Sequence, residues 1–221
     1  MKKAFSAYVI AYLVLLLSMI GLLVAYPKME LHLLLNSHHT GFQDTLFKYY
    51  SKLAEWPLYV LAVIPLLWKK PRLTIFYALC ELTGGVVVQI LKHLFHRDRP
   101  VVVFGDDGST VLPLVEGVSM HHSNSFPSGH TSTFFVFFTC CALLLAYNYS
   151  HRVGYRSQAA RVLQCLSLIL LLALAALGGY SRIYLSQHFL SDVCVGCIIG
   201  FVVPCLFFYF GGDKILKLNK E

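Results

Sequence analysis

Lysine, arginine, histidine and aspartate concentrate in three short clusters of this chain: Lys92 to Pro100 (KHLFHRDRP), Pro127 to His130 (PSGH) and Ser181 to Asp192 (SRIYLSQHFLSD). Each stands where a long apolar run begins or ends. Ionisable groups at the edge of a bilayer are costly, so such a constellation calls for a functional explanation. Lys92 and Arg99 are seven residues apart. On a helix that is two turns, about 10 Å along the axis, so both can face one point before Pro100 ends the helix. A planar Arg fork and a compact Lys charge suit a phosphate. Contact with lipid headgroups, shared with Arg97, is the competing explanation.

In the second cluster, Pro127-Ser128-Gly129-His130 immediately precedes an apolar run. The amides of Ser128, Gly129 and His130 are then expected to be unpaired donors at a helix start, a natural anion cradle. Ser128 adds a hydroxyl, Gly129 permits close approach, and His130 is placed as a general acid. An ordinary proline-initiated cap accounts for Pro127 and Ser128 but gives no reason for His130. In the third cluster His188 and Asp192 are four apart, so on a helix they share a face. A carboxylate on one imidazole nitrogen fixes the tautomer and makes the other nitrogen a better nucleophile. Arg182, just upstream, can supply a second fork to the same anion. An isolated His/Asp pair is also a common structural motif; the neighbouring Arg182 at a membrane edge favours chemistry.

The elements that must position these groups are transmembrane helices. With 57% hydrophobic and 13% charged residues and a mean hydropathy of +0.65, 221 residues cannot cover a soluble core. Six apolar stretches approach the roughly 20 residues that a bilayer requires. They run from about Ala7 to Tyr26, Tyr49 to Trp68, Leu73 to Leu91, Thr131 to Tyr147, Val162 to Tyr180 and Phe189 to Phe210. The second is interrupted by Lys52 and Glu55. The first follows Met1-Lys2-Lys3 but is long and lacks a small-x-small cleavage site, so a retained anchor is expected. The fold class is therefore an all-α, six-helix integral membrane bundle, a single domain over residues 1–221.

Basic residues gather at Lys2, Lys3; Lys69, Lys70, Arg72; Arg152, Arg156, Arg161; and Lys214, Lys217, Lys220. With six spans all fall on one side, which the positive-inside rule makes cytoplasmic, with both termini. The three clusters then share the opposite face. This asymmetry absorbs eleven of the eighteen Lys and Arg, so the net charge of +7 implies no nucleic-acid partner. In the first outer loop Phe42, Leu46, Phe47, Tyr50 and Leu53 recur at helical spacing, as in a helix lying on the membrane surface. All seven cysteines fall inside expected spans and read as packing residues. Cys194-Val-Gly-Cys197 has zinc spacing but no second pair, so no metal site is assigned. His93, His96, His121 and His122 read as the lining of a polar vestibule. Residues Val101 to Phe126 read as a loop long enough to cover the site.

Together, K-x6-R-P, P-S-G-H and S-R-x5-H-x3-D, in this order and in these helices, resemble the type 2 phosphatidic acid phosphatase superfamily, over roughly residues 73–211. The resemblance implies a phosphoryl transfer without metal or cofactor, in which His188 attacks phosphorus and water hydrolyses the phosphohistidine. It assigns Asp192 to orient His188, and His130 to protonate the leaving oxygen and then activate water. Lys92, Arg99, Ser128, Gly129 and Arg182 would hold the phosphoryl oxygens. A membrane-edge site fits a lipid substrate, with no protein partner required. Lipid A and undecaprenyl diphosphate lead, with phosphatidylglycerophosphate and phosphatidic acid as alternatives, in a bacterial inner membrane with the site facing outward. A transporter is the distant rival; it calls for polar residues near mid-bilayer and an inverted repeat, whereas here most polar residues lie at one face and no repeat is apparent.

Overall fold

The computed structural model describes residues 2–108, 111–149 and 158–216. Among these, nine helices and no strand are present: α1 (Lys2–Ala25), α2 (Lys28–Leu35), α3 (Gly41–Lys52), α4 (Pro57–Leu67), α5 (Pro71–Phe95), α6 (Pro100–Asp107), α7 (Gly129–Asn148), α8 (Gln158–Tyr184) and α9 (Leu190–Leu216). The all-α membrane architecture is as expected. Five helices are long and apolar enough to cross a bilayer: α1, α5, α7, α8 and α9. The expected span at 49–68 is instead split. Leu53–Trp56 breaks it where Lys52 and Glu55 fall, and α4 resumes at Pro57 for 11 residues, about 16 Å. The chain still descends through this region, since Ser51 touches Arg182 at one end of the bundle and Ala62 accepts from Thr74 near the other.

Proline at the first helical position starts α4, α5 and α6, where its missing N–H costs no bond. Thr40 caps α3 by accepting from Gln43 N at 3.2 Å. The helix at the core is α7, 67% buried across its apolar stretch against 17% for α1, which lies at the periphery. Phe134, Phe135, Phe138 and Ala142 of α7 pack against Tyr8 and Tyr12 of α1, Leu168 and Leu172 of α8 and Cys197 of α9. Its other side meets Phe76, Cys80 and Val88 of α5 and Val203 of α9.

The closest approach is that of α9 to α7. A Cβ at Gly196 would lie 2.6 Å from Ser128 O, and one at Gly200 2.6 Å from Ser132 O. Only hydrogen fits there, the small-x-x-x-small pattern by which apolar helices meet when lipid leaves no hydrophobic gain between them. Gly196 thus explains the Cys-Val-Gly-Cys segment as packing, and its thiols are free and buried. This seam sets Asp192 beside the start of α7.

Candidate active site

All three clusters come together at one end of the bundle. The link between two of them is a backbone bond: Ser128 N donates to Asp192 O at 3.0 Å. Ser128 caps α7, its Oγ accepting from Thr131 N at 3.4 Å and from Thr131 Oγ1 at 2.8 Å. Its own hydroxyl proton stays available to an anion, since a hydroxyl accepts two bonds and donates one. The expected cradle is thus corrected in one respect. The Ser128 amide is already spent on Asp192, and the amides of Gly129 and His130, the first two of α7, remain as the helix-start donors. A Cβ at Gly129 would meet Val88 at an ordinary 3.7 Å, so protein packing does not demand glycine there.

The helical geometry expected for the other two clusters is also corrected. Lys92 lies on α5, but the helix stops at Phe95, and His96 at φ 43° turns the chain in the left-handed region. Arg99 follows in extended conformation as the residue before α6, so Pro100 begins a helix rather than ending one. Loop contacts fix its guanidinium instead: Nε donates to Ser123 O at 3.0 Å, and Nη1 to Gln187 O and Oε1 at 3.2 and 2.9 Å. Likewise His188 precedes α9, which starts at Leu190, and its amide donates to Arg182 O at 3.1 Å. Across this turn His188 Nδ1 is still 3.6 Å from Asp192 Oδ2. That leaves Nε2 as the nitrogen free to react.

Burial is the chief reason the His188 imidazole drops to about 3, with Arg182 and Arg99 adding to it against the pull of Asp192. His188 is therefore neutral, the form that can attack. Lys92, Arg99 and Arg182 all lie within electrostatic range of one another and of His130. The side chain of Arg182 is buried; Nη1 donates to Ser51 Oγ, while Nε has no partner among the described residues. His130 Nε2 is 3.9 Å from Glu55 Oε1.

Residues outside the motifs hold this arrangement. Ser125 Oγ donates to Asp192 Oδ2 at 2.6 Å and lies 3.5 Å from His188 Nδ1. The Phe189 amide also donates to Oδ2, at 3.0 Å. Gln187 Nε2 reaches Ser119 O at 3.2 Å, joining the covering loop to Arg99. The loop itself differs from expectation in part, since Pro100–Asp107 is helical. Glu81 of α5 accepts from Thr133 Oγ1 at 2.5 Å and Tyr59 OH at 3.1 Å. Gln187 was detectable as a polar residue inside the third cluster. Ser125 and Ser51 carry no spacing signal, because their partners are distant in sequence. Among the described residues, no three His, Cys, Asp or Glu side chains are grouped to hold a metal ion.

The PAP2 superfamily pattern matches residues 73–216. The chain belongs to the PAP2 superfamily. Two crystal structures resemble it. Aquifex aeolicus LpxE is 25% identical, with a TM-score of 0.58 over 82% of this chain and 94% of that one. The first transmembrane PAP2 type phosphatidylglycerolphosphate phosphatase from Bacillus subtilis is 20% identical, with a TM-score of 0.64 over 99% and 100%. The second likeness is one of fold. Among curated proteins, none matches this PAP2 chain significantly by sequence. The matched region contains every residue of the three clusters, while α1 to α4 lie outside it.

Proposed function

We propose that this multi-pass membrane protein, a single domain, hydrolyses a lipid-borne phosphate through a phosphohistidine, with its site on the extracytoplasmic face. One observation carries the reading: a neutral, buried His188 faces Lys92, Arg99, Arg182 and the start of α7 at one end of a PAP2 bundle. His188 Nε2 attacks phosphorus while Asp192, bonded to Ser125 and the Phe189 amide, holds Nδ1–H. The three cations and the Gly129 and His130 amides take up the charge on the phosphoryl oxygens. Such preorganised charge is the main source of rate in phosphoryl transfer. His130 protonates the leaving oxygen and then removes a proton from the attacking water. The candidate substrates are lipid A and undecaprenyl diphosphate, followed by phosphatidylglycerophosphate and phosphatidic acid.

The test is phosphate release by the purified full-length protein from these four lipids with EDTA present. His188→Ala is expected to lower kcat by about 10³-fold or more, and His130→Ala by about 10²- to 10⁴-fold. Full activity in His188→Ala, or loss in EDTA that magnesium restores, refutes the mechanism.

A further inference from the structure

A small recess opens on the His130 side of the site. Its volume is about 160 Å³, and it is walled by Lys48, Ser51 and Lys52 of α3, by Glu55 just after it and by Ser119 and His121 of the covering loop, with His130 and Arg182 at its inner end. At roughly 30 Å³ per water, it holds the equivalent of about five waters, room for a phosphate group and too little for a hydrocarbon chain. In an in-line displacement the leaving oxygen departs opposite the nucleophile. With His188 attacking and His130 receiving the leaving group, the first atoms of that group fall into this recess.

Its chemistry is polar and cationic. Lys48 and Lys52 are one turn apart on α3, and among the described residues neither is ion-paired. Lys48 Nζ donates to the Glu116 carbonyl, at 2.7 Å, and Lys52 Nζ stands 5.8 Å over the Tyr49 ring. With Arg182, the recess carries three cations against the single carboxylate of Glu55. A larger groove, about 910 Å³, runs along α5 from Thr74 to Leu94, is walled largely by Leu82, Val86, Ile90 and Leu94 and includes none of the eight proposed catalytic and phosphate-binding residues. At the outer rim Tyr49 and Trp56 are exposed, as at a lipid interface.

We infer that the α3 recess is the leaving-group subsite, and that Lys48 and Lys52 make it selective for a leaving group bearing its own phosphate, so that diphosphate esters are preferred to monoesters. This rests on the phosphatase reading above and narrows it. His188 Nε2 bonds to the terminal phosphorus as the bond to the bridging oxygen breaks. The electron pair leaves on that oxygen, and the lysines receive the charge of the departing lipid monophosphate. Water then cleaves the N–P bond to give inorganic phosphate.

The experiment compares a prenyl diphosphate with the prenyl monophosphate of the same chain length, using the full-length protein in detergent. The wild type is expected to favour the diphosphate. Lys48→Ala/Lys52→Ala is expected to lower the diphosphate-to-monophosphate ratio of kcat/KM by about 100-fold, since each lost charge-assisted bond costs close to a factor of ten. Lys48→Arg/Lys52→Arg should restore the ratio. Monophosphate turnover by the alanine variant reports that it is folded. A parallel fall on both substrates, or an unchanged ratio, overturns the subsite while leaving the phosphatase reading standing. A wild type inert on both compounds overturns the diphosphate preference, and the four-lipid assay above then decides the phosphatase reading separately.

Discussion

Lys92, Arg99, His130, Arg182 and His188 are costly at a membrane edge, and that cost marked all of them. What the sequence could not reveal is how they are held. Arg99 and His188 both occupy turns, not helices, because His96 and the Ser186–Phe189 turn leave helical geometry; Ser186 itself has a φ of 50°. Those turns are stabilised by Ser123, Ser125 and Gln187, which meet their partners only once the bundle has formed. Burial of His188 has a consequence measurable without substrate. The group titrates near 3 in the folded protein and near 6.5 in an unfolded chain, so the unfolded state binds more protons between those values. Its neutral, buried form therefore favours folding fully above pH 6.5, and that contribution is lost as pH falls toward 3. Replacing it by a group that does not titrate, His188→Gln, is expected to reduce the loss of thermal stability between pH 7 and 4. Thermal unfolding in detergent at several pH values measures this, and equal losses in both proteins would contradict it.

At the level of elements, apolar length read five spans correctly within a few residues. It failed at the second. There Lys52 and Glu55 were treated as interruptions of a helix, whereas the chain breaks and turns their side chains into the recess beside His130. Periodicity did identify α3 as a surface helix, because Phe47 and Tyr50 point inward while Phe42 and Tyr49 remain exposed. The α7/α9 seam gives a prediction of its own. Gly200→Leu must displace the α7 backbone and is expected to cost roughly 1–3 kcal/mol, seen as a lower Tm and reduced kcat, since α9 carries Asp192. Gly21→Leu on α1, where nothing lies within 4 Å, is the matched control and should leave Tm close to that of the wild type. Equal effects of the two would remove the seam from the account of the site.

For the molecule as a whole, charge asymmetry is the ground of the proposed orientation. Lys69, Lys70 and Arg72 stand at the α4/α5 hairpin and Arg161 at the start of α8, both at the end remote from His188. Arg152, Arg156, Lys217 and Lys220 lie outside the described residues. A cysteine introduced at Asp106 is expected to react with a membrane-impermeant maleimide from outside intact cells, and one at Lys70 only after the membrane is opened. The reverse pattern would place the site in the cytosol. The backbone bond from the Ser128 amide to the Asp192 carbonyl bears on how the protein is made. During synthesis α7 enters the membrane two helices before α9, and until α9 follows, the helix-start cradle has no partner and His188, just ahead of α9, has no Asp192 to hold it. A nascent chain is therefore inert toward the lipids that surround it, and competence to hydrolyse them arrives in one step, with insertion of α9.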